Sequence, residues 1–402
     1  MSLDDTLPDA SAGVGPIRAA PRDGAASLRL QLYEAVRAEG RVSRASLAKA
    51  LRVSPGSVTP AVADLIGAGL LREVADAAPA SGRGRPPVTL AVEPGAALVA
   101  GLRLSDREHT AALIDAAGRT VASASAGRAP GDGTVAALVE EAGALLDRLL
   151  ATAGVAIGAV RAVGVGLPGL VEHGSGTLRW SPIAEGTDAP LAALLSDRMG
   201  VAASVDNDTN LLTVAELWFG KGRGLSDFAV VTVENGVGMG LVVGHATYRG
   251  ARGVGMELGH LCVELDGALC RCGRRGCLEA YVADYALERE AGPDLPEGEI
   301  VPLLEARMAQ GDPVAGAVLE KAARYLALGL GNVSNLFDPR HVILSGSRSR
   351  WSPADAATLA AAVAAHTLSA PPPIEVNAWD DLIWARGAAA LALSDATPGL
   401  VA

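Results

Sequence analysis

His260, Cys270, Cys272 and Cys277 follow one another at spacings of ten, two and five residues. One imidazole and three thiolates make the ligand set of a closed tetrahedral zinc site. With no open position for water, the expected role of such an ion is to hold a loop, not to catalyse. The stretch MELGHLCVELDGALCRCGRRGCLEA, residues 256–280, contains all four cysteines of the 402-residue chain. Gly273 and Gly276 supply turns between the ligands. Cys262 competes with His260, since an all-cysteine set of 262, 270, 272 and 277 also has four donors. His260 is preferred because Cys262 falls in the alternating string HLCVEL, where it can face the interior.

Composition sets the frame for this loop. The opening MSLDDTLPDAS has neither the positive start nor the apolar core of a signal peptide, and no run approaches the roughly 18 apolar residues of a membrane span. A soluble, cytoplasmic chain without a membrane partner is expected, and in a reducing compartment clustered cysteines point to a metal before disulfides. Half of the residues are hydrophobic and only 3% aromatic, so the cores must be built from Ala, Val, Leu and Gly. The formal charge of −11 is uneven: Arg22 to Val92 carry ten Lys and Arg against six Asp and Glu, which leaves −15 for the rest. A small basic module is joined to an acidic body. Residues 1–21, polar and without periodicity, are expected to be a disordered tail.

The basic module, 22–93, predicts a winged helix-turn-helix. Leu28, Leu32, Ala35 and Val36 share one helical face, which Gly40 ends. Ser43 can cap a short second helix. Ser54-Pro55 opens a third, in which Val58, Val62, Leu65 and Ile66 repeat the spacing before Gly69. LLREV, the loop SGRGRPP and VTLAV then form a hairpin wing. Pro60 is awkward inside a helix, and Thr59 is an alternative cap for a helix that starts there. The third helix is expected in the major groove of an operator in double-stranded DNA. Ser54, Ser57 and Thr59 would face the bases. Arg44 and Arg52, with Arg83 and Arg85 of the wing, would face phosphates, together with the basic flanks Arg41 and Lys49. The bidentate readers Arg, Asn and Gln are missing from that helix.

From Ala96 onward, three strands, a helix and a further strand occur twice, which implies an α/β body of two lobes with a ligand cleft. The expected division is 94–205 plus about 385–402 for the first lobe and 206–384 for the second.

GVGLPGLV, VDNDTN, MELGHLCVE and CRCGRRGCLEA, in that order behind a winged helix, resemble the ROK family of sugar kinases and sugar-responsive regulators. The resemblance covers about residues 28–395. It implies a duplicated, actin-like ATPase fold of the ribonuclease H-like class, a structural zinc and a sugar pocket. By resemblance, Asn207, Asp208, Glu257, His260 and Glu279 match the sugar-contacting positions. Carboxylates and an amide can satisfy hydroxyls in pairs, and zinc on one ring nitrogen of His260 leaves the other for a hydroxyl. Gly166, Pro168 and Gly169 would shape the cleft floor. Cap or turn roles are the plainer alternative for Asp206, Asn207 and Asp208, and a first-turn helix charge for Glu279.

Kinases of the family carry D-x-G-G-T-K after the first strand. Here Arg103 stands at the acid, Ser105 and Asp106 at the glycines and Arg107 at the threonine. The second phosphate turn reads Glu234, Asn235, Gly236, Val237, Gly238, Met239, Gly240, and LSGS at 344–347 keeps one glycine. The phosphate cradle is therefore read as lost, with Asp208 a vestigial general base. The expectation is a non-enzymatic regulator, most simply a repressor, that binds a sugar or sugar derivative and works as a homodimer or homotetramer. A bifunctional ATP-dependent sugar kinase and a ligand-free dimerisation scaffold are the alternatives.

Overall fold

A computed structural model describes residues 13–18, 26–75, 88–128, 133–292, 300–346 and 353–402. The chain divides into two compact units, Met1–Ser226 with Leu382–Ala402, and Asp227–Asp381. Among the described residues no helix is long and apolar enough to cross a membrane.

The first unit opens with three capped helices. Ser27 accepts from the Leu30 amide to start α1 (Leu28–Glu39), and Gly40, at φ 72°, ends it. After β1 (Val42–Ser43), Ser43 caps α2 (Arg44–Leu51). Ser54 caps α3 (Pro55–Gly67), with Pro55 at its first position. The helix therefore starts at Pro55 and runs through Pro60. The alternative start at Thr59 is not adopted, and the Thr59 hydroxyl turns back to donate to the Pro55 carbonyl at 3.0 Å. β2 (Leu71–Ala75) and β3 (Val88–Val92) complete a three-stranded antiparallel sheet in the order β1-β3-β2. The wing loop, with Arg83 and Arg85, lies outside the described residues.

The tail expectation needs correcting for residues 13–18. Val14 is buried, its amide donates to the Arg37 carbonyl at 2.8 Å, and the Gly15 amide donates to the Trp218 carbonyl at 2.9 Å. An apolar residue between two glycines can dock where a polar string could not. Residues 1–12 and 19–21 lie outside the described residues.

β4 (Leu98–Arg103), β5 (Glu108–Asp115) and β6 (Thr120–Gly127) form an antiparallel meander, and the helix α4 (Val135–Ala153) leads to β7 (Val160–Leu167). The small hairpin β8 (Leu170–Glu172) and β9 (Thr177–Trp180), then α5 (Leu191–Met199), precede β10 (Ala203–Asn207) and α6 (Asp208–Phe219). The sheet order is β10-β7-β4-β5-β6. In the second unit come β11 (Phe228–Val233), β12 (Val237–Val243) and β13 (Ala246–Tyr248). The helices α7 (Glu279–Val282), α8 (Asp284–Ala291), α9 (Ile300–Ala309) and α10 (Pro313–Phe337) follow. Then come β14 (Val342–Gly346), α11 (Pro353–Val363) and β15 (Ile374–Ala378), giving the order β13-β12-β11-β14-β15. Each sheet is a three-stranded meander extended by two parallel strands, so the repeat legible in the sequence is a repeat of topology.

The closing helix α12 (Leu382–Val401) returns to the first sheet. A Cβ at Gly101 would lie 2.0 Å from the Ala385 carbonyl oxygen, and one at Gly164 would lie 1.9 Å from that of Ala388. Only glycines facing alanines let a helix approach two strands this closely. α6 lies in the first unit, although the sequence reading divided the chain at 205/206. Its packing is on α12, and Gly387 of α12 leaves no room for a side chain against the Leu211 carbonyl.

Candidate functional site

The metal loop begins at a short 3-10 turn, Leu258–His260. A Cβ on Gly259 would lie 2.3 Å from the Val237 carbonyl oxygen, so glycine lets this turn sit against β12. Gly273 and Gly276 adopt φ 85° and 75° and fold the chain back between the cysteines. The ligand atoms of His260, Cys270, Cys272 and Cys277 all lie within 4.8 Å of one another. Cys270 Sγ is 3.7 Å from His260 Nδ1, and Cys272 Sγ is 3.7 Å from Cys277 Sγ. A tetrahedron with metal–sulfur bonds of about 2.3 Å has edges of roughly 3.8 Å, so the spacing suits a zinc-sized ion. The exposed Cys262 stands outside this group, with Sγ 3.6 Å from the Glu264 carbonyl. Burial pushes the Cys277 thiol up to about 12 and raises Cys270 as well. An incoming cation would therefore displace protons.

Glu279 joins the metal loop to β12. It is buried, its Oε2 accepts from the Val237 amide at 3.2 Å, and its Oε1 lies 3.6 Å from Cys270 Sγ and 3.5 Å from the Tyr285 hydroxyl. Glu257 is exposed one turn before His260, whose amide donates to the Glu257 carbonyl at 3.0 Å. With Nδ1 facing the thiols, Nε2 of His260 is the nitrogen left for a ligand.

In the first unit, VDNDTN spans the end of β10 and the start of α6. Asn207 is a helix cap: its Oδ1 accepts from the Thr209 and Asn210 amides, and its Nδ2 donates to the Gly169 carbonyl at 2.9 Å. Asp206 is fully buried, accepting from the Asn207 amide and Asn210 Nδ2 at 2.8 Å each, with His173 Nδ1 3.4 Å away. Asp208 takes the first helical position. Burial pushes its carboxyl above the ordinary range, against the pull of the Arg103 guanidinium and the Thr209 amide. Arg103 ends β4 and lies 4.3 Å over the Trp384 ring. Arg103 and Asp206 both pair in register with Gly166, where a Cβ would meet Leu211 Cδ1 at 2.5 Å.

The turn between β4 and β5 is held by its own side chains. The Ser105 amide donates to His109 Nδ1 at 3.1 Å, and the Arg107 and Glu108 amides donate to Ser105 Oγ at 3.4 and 3.2 Å. A backbone amide only donates, so Nδ1 must accept; Nε2 then carries the proton and donates to Glu141 at 2.9 Å. Asp106 and Arg107 are exposed. In the second unit Glu234 is buried, and its Oε1 would lie 2.5 Å from a Cβ on Gly346. A carboxylate thus stands beside Gly346, the glycine of LSGS; Ser347 lies outside the described residues. Neither His109 nor His173 lies in a motif, and the acidic partner of each, Glu141 and Asp206, is more than thirty positions away.

Residues 99–394 match the ROK family. The chain belongs to that family. It is 27% identical over 325 residues to a putative xylose repressor from Caldicellulosiruptor sp. strain Rt8B.4, covering 77% of this chain and 80% of that protein. It is 33% identical over 205 residues to a glucokinase from Thermotoga maritima, covering 47% of this chain and 64% of the enzyme. A solved ROK family transcriptional regulator, a homologue of the E. coli MLC protein, superposes with a TM-score of 0.77 over 93% of this chain and 96% of its own, at 23% identity. That likeness speaks for the fold.

Within the first unit of this ROK protein, α6 starts at Asn207 and Asp208 and ends against the three-helix module. The buried Arg37 of α1 lies 4.3 Å over the Trp218 ring and 5.8 Å over the Tyr33 ring, and donates to Thr397 Oγ1 of α12 at 2.9 Å. Arg223, just past α6, donates to the Ala38 and Gly15 carbonyls, and the Ile17 amide donates to the Arg223 carbonyl. On the module itself, Ser54, Ser57 and Thr59 are exposed on the first turns of α3, with Ser54 and Ser57 hydroxyls 2.9 Å apart. Arg44 pairs with Glu73 of β2 at 2.7 Å, while Arg52 is exposed in the left-handed region at φ 55°.

Proposed function

We propose that this ROK protein is a DNA-binding transcriptional repressor of sugar-related genes, whose body binds a sugar without phosphorylating it. The observation that carries the reading is α6. One helix is capped by Asn207, begins at Asp208 and carries, on its last turn, the Trp218 ring on which Arg37 is seated. A ligand that resets the first turn acts on the element that docks the module. It alters operator affinity by the difference in its affinity for the two settings.

In this proposal Asn207, Asp208, Glu257, His260 and Glu279 receive the sugar hydroxyls, and a zinc ion held by His260, Cys270, Cys272 and Cys277 keeps the loop shaped. The three helices and β1-β3-β2 act as a winged helix-turn-helix with α3 in the major groove. Ser54, Ser57 and Thr59 face bases, while Arg44, Arg52, Arg83 and Arg85 face phosphates. Two half-sites about one helical turn apart require a homodimer or homotetramer. The repressor relative supports a repressor over a kinase, since it matches more of the chain than the glucokinase does.

The competing kinase reading rests on Asp208. Against it stand the occupied Ser105, Arg107 and Glu108 amides, the Glu234 carboxylate over Gly346, and a guanidinium where a kinase has its acid. Incubation with ATP, magnesium and a panel of hexoses, pentoses and amino sugars is expected to give no phosphate transfer. Transfer that disappears in Asp208→Asn would overturn the non-enzymatic part. Operators selected from random DNA, titrated with and without the same sugars, test the sensor: at least one sugar should change operator affinity, and a flat response to all would refute it.

A further inference from the structure

A broad depression of about 830 Å³, open to solvent, lies in the first unit between the β4–β5 turn and the loop after β9, lined by Asp106, Arg128, Trp180 and Glu185 among others. Cavities of roughly 300–1,000 Å³ receive ligands well beyond one small ring. Trp180 is 44% exposed on this wall, a large apolar surface left to water. The electron-rich face of an indole attracts the polarised C–H groups on the flat face of a pyranose. Around it stand the carboxylates of Asp106 and Glu185, which accept from hydroxyls, and the guanidinium of Arg128, which donates. Arg128 is held in place by donating to the Ile183 carbonyl at 2.6 Å and by lying 3.7 Å from Glu141.

The wall of this depression is tied directly to the cap of α6. A Cβ on Gly169, at φ 133°, would lie 2.2 Å from the Trp180 carbonyl oxygen, and Ser181 Oγ donates to the Pro168 carbonyl at 2.7 Å. The Gly169 carbonyl in turn accepts from Asn207 Nδ2. One short loop therefore has the Asn207 side chain on one side and the Trp180 strand on the other.

We infer that this depression is a second carbohydrate subsite, and that the effector is a neutral or amino-bearing glycoside of at least two rings. This rests on the sensor reading of the preceding section. One ring stacks on Trp180, and the other extends toward the Gly169 loop, whose carbonyl accepts from Asn207 Nδ2. Two carboxylates against one guanidinium disfavour a phosphorylated sugar, which would meet like charge there.

Calorimetry on the full-length protein tests this with the monosaccharides glucose, xylose and N-acetylglucosamine, their β-linked disaccharides cellobiose, xylobiose and chitobiose, and glucose 6-phosphate. The expected result is that one disaccharide binds at least tenfold tighter than its own monosaccharide. Trp180→Ala should erase that advantage while monosaccharide affinity stays within twofold, and Glu185→Gln should reduce it. Equal affinity for both sizes, an equal loss of both in Trp180→Ala, or preference for the phosphorylated sugar would overturn the subsite and leave the sensor standing. Binding of no sugar at all would overturn both readings.

Discussion

Replacing Arg37 with Met should free the three-helix module from the rest of the first unit while leaving each folded. The guanidinium makes a desolvated contact with the Trp218 ring at 4.3 Å and a hydrogen bond to Thr397 at 2.9 Å. The first is worth about 2 kcal/mol when water is excluded, and a hydrogen bond from a charged donor about 1.5–3 kcal/mol. Part of this is offset because Met no longer has a charge to desolvate. Thr397 is not orphaned either, since its hydroxyl also donates to the Leu393 carbonyl. A net loss of roughly 2–4 kcal/mol in docking remains, and at 1.4 kcal/mol per decade this is about 30- to 1,000-fold in the undocking equilibrium. Hydrogen exchange reads it directly. The amides of Val14, Gly15 and Ile17, which donate to the Arg37, Trp218 and Arg223 carbonyls, should lose that factor of protection while the amides of β4 and β7 keep theirs. On a selected operator, the variant should bind DNA and lose most of its response to sugar. Unchanged exchange at these three amides, or a sugar response equal to wild type despite undocking, would refute α6 as the link.

Metal analysis should return about one zinc per chain. Chelation or Cys272→Ser should remove it and lower Tm by about 5–15 °C, whereas Cys262→Ser should keep the ion. Asp208→Asn should melt higher than wild type at pH 7. Burial raises this carboxyl in the folded state, so its ionisation costs stability as pH rises through the folded pKa; the gap should close as pH falls below the ordinary carboxylate range. Gly164→Ala should cost about 1–3 kcal/mol or more in urea denaturation, because the new methyl would lie 1.9 Å from the Ala388 carbonyl oxygen.

What could be read from the chain depended on how far apart the interacting residues are. The clustering of His260, Cys270, Cys272 and Cys277 was legible because the four fall within eighteen positions and the glycines between them allow few other paths. The start of α3 was legible in Ser54-Pro55, but a missing amide at Pro60 could not tell a continuing helix from a new one, since packing of Val58, Val62 and Leu65 outweighs one lost bond. Asn207 shows why a motif alone leaves roles open: its amide both caps α6 and grips the Gly169 carbonyl, so the same atoms serve the helix and shape the loop beside it. Nothing local marks Arg37 as different from the basic residues around it. Its burial depends on a ring 181 positions later and a hydroxyl 360 positions later, brought together only when α12 closes the first unit. The contact between α6 and the three-helix module was therefore the least legible feature. A contact made by one arginine that no motif contains thus joins α1 to α6 and α12.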